Sequence, residues 1–110
     1  MTTSRYSVVW TEVAALDVER LAAYLHVEAA LRASEIVDRI IDRADSLCRL
    51  PGRGRAPPEL RDIGDRSWLE IQQAPWRILY RIVRNRVEIH GVLDGRRDLG
   101  DILLERILLG

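Results

Sequence analysis

Most of the side chains in this sequence that could do chemistry are guanidiniums. All 17 basic residues are arginine and none is lysine. Any mechanism that needs a lysine as base, nucleophile or Schiff-base former is therefore excluded. Arg66, Arg77, Arg81, Arg84, Arg86, Arg96 and Arg97 fall around three strand-like runs in the second half of the chain. Arg77 and Arg81 are an even number of residues apart, which puts them on one face of a strand. Arg96 and Arg97 follow the last run, so at least one can join them. Clustered guanidiniums can bind phosphate bidentately and stabilise developing negative charge. They can equally dock on the carboxylates of a partner protein, or close internal ion pairs with Glu70, Glu88, Asp94 and Asp98. Spacing alone leaves the three uses open.

The other reactive types offer less. Cys48 lies on an apolar helical stripe and reads as a buried structural cysteine. Ser4, Ser7, Ser34, Ser46 and Ser67 stand in no nucleophile motif, so a hydrolytic triad is not supported. His26 falls near a helix end. His90 falls mid-strand, on a face with Glu88 and Val92 and opposite Val87, Ile89 and Leu93. It has the chemistry of a general base there, although a satisfied or solvent-facing strand histidine is the commoner case. Trp68 and Trp76 flank a hairpin and could stack bases among the arginines, but packing in the core or on the sheet is preferred. One cysteine and two histidines are too few for a disulfide framework or a typical all-protein zinc site. No metal and no cofactor is expected.

These residues must be positioned by a small frame. The 110 residues fit one domain over 1–110. Tyr6–Trp10 is short and rich in β-formers and reads as a strand. Thr11 is a fair N-cap for a helix whose apolar stripe runs Ala14, Val18, Leu21, Ala22 and Leu25. A second stripe runs Ala33, Val37, Ile40, Ile41, Ala44, Leu47 and Cys48, after a break expected near His26 to Glu28. Together they predict a helical hairpin laid on a sheet. Pro51-Gly52 stops the second helix, and Arg53 to Asp65 reads as a loop. Ser67–Gln72, Arg77–Val83 and Val87–Leu93 then predict an antiparallel meander with short turns. Where the first strand joins it is not specified. The tail from Leu99 to Leu109 is apolar nearly all round, as in a helix half-covered by its own domain and half by a partner. The fold class is thus α+β: a strand, a helical hairpin on an antiparallel three- to four-stranded sheet, and a C-terminal helix.

Charge is distributed in blocks. Residues 1–48 hold five arginines and eight acids, a net of −3; residues 49–97 hold eleven and six, a net of +5; residues 98–110 hold one and three, a net of −2. A basic middle of this kind can meet nucleic acid or an acidic protein, or be a solvated face. There is no run of ~18 apolar residues that would cross a membrane and no apolar leader, so a cytoplasmic protein is expected.

The order of elements and three local words resemble the RelE/ParE toxin superfamily. Leu50-Pro51-Gly52-Arg53-Gly54-Arg55-Ala56-Pro57-Pro58-Glu59-Leu60 is similar to the P-x-x-G-R-x-x-P-E-L loop of plasmid-stabilisation proteins. Trp76-Arg77-Ile78-Leu79-Tyr80-Arg81-Ile82 is similar to the Y-R-I-x-Y-R-I strand, and Asp94-Gly95-Arg96-Arg97-Asp98-Leu99 to the H-G-x-R-D ending. The resemblance implies one of two activities. RelE-type members cut messenger RNA on the ribosome, with the 2′-hydroxyl attacking the adjacent phosphate. ParE-type members poison DNA gyrase, block replication and perform no chemistry. Both are neutralised by a co-encoded antitoxin.

The resemblance favours the ParE branch. Arg77 and Arg97 fall where the RNA-cleaving branch keeps its phosphate-stabilising arginines. Its strand lysines, however, are replaced by Trp68 and Glu70, its late tyrosine is missing, and arginine is a poor base at neutral pH. Asp94, where ParE-like words usually have His, departs from both. The expected gyrase-binding residues are therefore Arg77, Arg81, Arg96 and Arg97. The alternative ribonuclease site would be Arg77, Arg97 and His90. A third alternative is a non-toxic module that only binds an antitoxin. The implied partners are DNA gyrase and a ParD-like antitoxin, with a ribbon-helix-helix domain and a tail that wraps the toxin. The apolar residues Val18, Leu21, Leu25, Val37 and Ile41 are its expected contact. No membrane and no direct sequence-specific nucleic-acid partner is expected.

Overall fold

In the computed structural model, which describes residues 5–62, 64 and 66–109, the first strand β1 (Ser7–Trp10) ends at Thr11. Ser4 and the last residue of the loop expected to Asp65 lie outside the described residues. The Thr11 hydroxyl accepts a hydrogen bond from the Ala14 amide at 3.2 Å and donates to the Ile89 carbonyl at 2.9 Å. One side chain thus caps helix α1 (Glu12–Glu28) and ties its start to the sheet. No glycine or proline ends α1 early, so it runs past the expected break. The connection is Ala29–Arg32, where the Ala29 amide closes on the Leu25 carbonyl at 2.7 Å. Helix α2 (Ala33–Asp45) follows.

Three strands, β2 (Trp68–Gln73), β3 (Trp76–Val83) and β4 (Arg86–Asp94), form the expected antiparallel meander. The sheet order is β1-β4-β3-β2, with β1 parallel to β4. The chain that joins these parallel neighbours is long enough for the crossover such a pair requires: it runs through the helical hairpin, the loop after it, β2 and β3. A final helix α3 (Gly100–Leu109) lies on the opposite face of the sheet.

Each face carries its own apolar cluster. Ala14, Ile40, Ala44 and Leu47 of the helical layer meet Ile71, Ile78, Tyr80, Val87, Ile89 and Val92. On the other face Leu99 and Leu103 meet Leu60, Trp68, Leu79 and Leu93. At roughly 1.5–3 kcal/mol per buried leucine, Leu103 within α3 and Leu99 just before it anchor this helix to the sheet.

One expectation about β4 is corrected. Alternation along the strand placed Leu93 with Val87 and Ile89, and Val92 with His90. The structure does the reverse: Val92 joins the hairpin core and Leu93 the α3 core. The cause is a bulge. Leu79 pairs with Gly91 and Tyr80 with Ile89, which leaves His90 as the extra residue and shifts the alternation by one.

The segment expected to be a plain loop is more ordered than that. It contains 3-10 turns at Pro51–Arg53 and Pro58–Leu60. Between them Arg55 and Glu70 exchange backbone hydrogen bonds at 3.0 and 2.8 Å, adding one rung to the free edge of β2. The loop is pinned by Tyr80, whose buried hydroxyl donates to the Pro51 carbonyl at 2.6 Å and accepts from the Gly54 amide at 3.0 Å. Burial pushes the Tyr80 pKa up, which keeps the phenol in its donating form. Gly54 is required: a Cβ there would clash with the Tyr80 hydroxyl and lie 2.7 Å from the Glu70 carbonyl.

Candidate functional site

Arg77 and Arg81 do share a face of β3, the face toward α3, but each is committed to acids. The Arg77 guanidinium donates twice to Glu59, at 2.6 and 2.7 Å, and through Nε to Glu70 at 2.8 Å, with Nη2 also on Glu70. Its side chain is only 12% exposed. Glu70, fully buried, also receives Arg55 Nε at 2.9 Å. Two arginines and two glutamates thus form a balanced cluster at the end of the sheet near the β2–β3 turn. The hydrogen bond from Arg77 draws the Glu59 carboxyl below its ordinary range, and the same bond raises Arg77.

A second cluster sits along the strands toward the other end. Arg81 Nε donates to Glu88 at 2.9 Å, and its guanidinium carbon lies 5.0 Å from the centre of the Trp68 ring. Trp68 is buried; its role is to pack and to carry this cation, rather than to stack a base. Glu88 also accepts from Arg86 Nε and Nη2, at 3.0 and 2.9 Å, and meets His90 Nε2 at 3.1 Å. The His90 hydrogen bond, ahead of those from Arg81 and Arg86, holds the Glu88 pKa at about 2. His90 is 7% exposed and its ring meets Trp68 edge-on at 4.8 Å. Burial pushes the imidazole pKa down against the pull of Glu88.

Arg96 and Arg97 lie in the turn after β4, near the Arg77 end. Arg96, 66% exposed, forms a two-pronged pair with its neighbour Asp94, at 3.0 and 2.9 Å. That pair draws Asp94 below its ordinary value. Arg97 is exposed, with its amide on the Asp94 carbonyl at 3.2 Å. Of the three uses that spacing left open, internal pairing is therefore taken by Arg77, Arg81 and Arg96.

The alternative ribonuclease trio is not gathered at one point. Arg77 pairs across the sheet with Leu93, three residues beyond His90, or roughly 10 Å along a strand. The two belong to separate ion-pair clusters.

On the hairpin, Leu25 is buried, while Val18, Leu21, Val37 and Ile41 are half-buried. Val18 and Ile41, with Trp10 and Ala15, line an apolar groove of about 250 Å³. Trp10 closes one end through an indole hydrogen bond to Asp45 at 3.2 Å. Exposed Glu19, Asp38, Asp42 and Asp45 stand on the same sides of the two helices.

Sequence reasoning missed one tie. Asp17 forms a two-pronged pair with Arg106 of α3, at 2.7 Å on both prongs, and accepts the Val92 amide at the bulge at 2.9 Å. Arg106 also donates to the His90 carbonyl at 2.9 Å. The signal was available: Asp17 sits three residues after Ala14 and four before Leu21, a carboxylate on the inward stripe of α1. Beside this tie, a cavity of about 430 Å³ opens between β1, α1, the sheet and α3, with Val9, Val13, His90 and Leu109 in its wall.

Comparison with known proteins agrees with this frame. The structure is similar to that of a chromosomal ParDE toxin–antitoxin system from P. aeruginosa, at TM-score 0.66 and 17% identity, over 82% of this chain and 96% of that one. It is also similar to the toxin–antitoxin complex RelBE2 from Mycobacterium tuberculosis, at TM-score 0.62 and 23% identity, over 84% and 94%. At these identities the likeness shows the shared fold. No curated protein matches the sequence. Residues 8–99 match the family described as ParE toxin of type II toxin-antitoxin system, parDE. That span runs from the second residue of β1 through the hairpin and the other three strands, and the chain belongs to the ParE toxin family.

Proposed function

We propose that this toxin acts on DNA gyrase without chemistry of its own, and that a ParD-like antitoxin neutralises it in the cytoplasm. The observation that carries the non-enzymatic reading is the state of Arg77. At the position where RNA-cleaving relatives hold a phosphate, this guanidinium is filled by Glu59 and Glu70. A phosphodiester approaching it would meet two carboxylates and would have to break a buried pair, which costs about 3–5 kcal/mol. The only imidazole nearby, His90, already points Nε2 at Glu88. Arg96 and Arg97, with the accessible edge of Arg81 and the outer face of α3, form the contact with gyrase. Arg77 holds the platform beneath them.

Purified gyrase tests this. Added toxin should arrest supercoiling, and a cell-free translation reaction should keep its message intact. Cleaved message with normal supercoiling would establish the ribonuclease instead, and expression without any growth defect would leave only the antitoxin-binding module. Arg96→Ala with Arg97→Ala should relieve growth arrest at least ~10-fold with the fold intact.

The antitoxin's tail takes the hairpin groove. Its apolar anchor enters between Trp10, Val18 and Ile41, and its basic groups face the acids along the rims. Half-buried Leu21 and Val37 on the same two helices are the further apolar contacts expected for the tail, while Leu25 is buried within the domain. The two proteins should elute together above 12.6 kDa. Ile41→Arg should abolish the co-elution.

A further inference from the structure

We infer that the free edge of β2 is a second, sequence-independent binding surface for a nucleic-acid phosphate backbone, formed by Arg43, Arg53 and Arg55. The three line one depression of about 300 Å³, with Gly54, Glu70 and Gln72 as its other polar or open walls.

What sets these arginines apart from those of the sheet face is how they are held. Arg43 donates Nε to the Gln72 carbonyl at 3.1 Å. Arg53 donates to the carbonyls of Ser46 and Arg49, at 3.3 and 2.9 Å, and to the Ser46 hydroxyl. Every one of these acceptors is neutral. Among the described residues neither Arg43 nor Arg53 forms an ion pair. The guanidiniums are thus oriented without being neutralised, and both residues are exposed. Arg55 uses Nε on Glu70, and its side chain is 58% exposed, so its two terminal nitrogens are available. Glu70 is shared with Arg77, which Glu59 also neutralises, so Arg55 keeps only part of its charge and contributes mainly its two terminal nitrogens.

The loop is also rigidly placed. The Tyr80 hydroxyl and the Arg55–Glu70 rung fix Arg53, at the end of the 3-10 turn, and Arg55, on the bridge two residues later. Preorganised planar forks of this kind suit successive phosphates.

The chemistry selects a polyanion backbone over an acidic protein. A protein interface centres on an apolar anchor. Among the described residues, none of the exposed large hydrophobic side chains lines this depression and no exposed aromatic ring is there to stack a base, so the contact is to phosphate and not to sequence.

The test is titration of the intact toxin, without gyrase, against a short fluorescent duplex DNA of arbitrary sequence. Three phosphate contacts predict a salt slope near −2.7, so affinity should fall roughly 40-fold between ~50 and ~200 mM salt. Arg43→Gln with Arg53→Gln should cut that fall to about 4-fold. Arg43→Lys with Arg53→Lys keeps the charge but not the fork geometry. It should retain most of the slope, which separates charge from any loss of folding. Arg20→Gln on α1 should change nothing. No DNA binding at low salt, an unchanged slope in the double glutamine variant, or tighter binding to polyglutamate than to DNA would each overturn the assignment.

Discussion

At the residue scale, the lesson of this chain is that an arginine's role is decided by the acid opposite it. Sequence spacing correctly put Arg77 and Arg81 on one face, and Glu70, Glu88 and Asp94 were visible as possible partners. Glu59 was not, because it lies 18 residues away in a loop whose path depends on Tyr80 and Gly54. Glu70→Gln should destabilise the domain by about 3 kcal/mol in a denaturant titration, since it leaves a buried guanidinium short of a partner. Glu59→Gln, at the more open rim, should cost about 1 kcal/mol. The clusters also set the response to acid. His90 is held neutral by burial, below its ordinary 6.5, so its contribution to stability is present above that value and lost as pH falls beneath it. Glu59 and Glu88 are held below their ordinary 4.5, Glu88 at about 2, so theirs is lost from about 4.5 downward. The thermal midpoint should therefore decline in two stages on acidification. His90→Gln should remove the first stage and leave a second carried by Glu59 and by the Arg81 and Arg86 bonds to Glu88.

At the element scale, strand and helix boundaries were largely legible. Thr11 does cap α1, the meander has its expected short turns, and α3 is half-covered by Leu99 and Leu103 while Leu104, Leu108 and Leu109 face outward. What alternation could not show was the bulge, because an extra residue leaves no mark in composition. Gly91 is its nearest trace: a Cβ at that position would lie 2.9 Å from Arg106 Nη1 and 3.6 Å from an Asp17 carboxylate oxygen. Gly91→Ala should push Arg106 out of its pair and cost about 1–3 kcal/mol. Hydrogen exchange should report it as faster opening of α3 while α1 and α2 hold. Asp17→Asn should act on the same helix and also weaken the protection of the Val92 amide, because that amide loses a charged acceptor. Equal loss of protection throughout the chain would show that α3 is not separately tied.

At the scale of the whole molecule, the charge blocks read from the sequence resolve into places. The acidic stretch is the hairpin with its groove, and the basic stretch divides between arginines paired on the sheet face and, at the β2 edge, Arg53 beside an Arg55 held by Glu70. The parallel seat of β1 beside β4 was not legible, since a strand of four residues with alternating burial fits either edge of a sheet. If the groove takes a basic tail, antitoxin association should slow roughly 10-fold on going from ~50 to ~200 mM salt, with a much smaller change in dissociation, measurable by stopped flow. An unchanged on-rate would assign the docking to apolar contact alone. The single surplus residue in β4 has a further consequence for how this architecture can vary. Because His90 is surplus to the ladder, Gly91, Val92 and Leu93 keep Leu79, Ile78 and Arg77 as the partners that an unbroken alternation from Ile89 would give them. A relative one residue shorter at this point could therefore pair every remaining residue as here and keep Val92 and Leu93 in their present order. What it would forfeit is the imidazole itself, with its bond to Glu88 and its edge-on contact with Trp68.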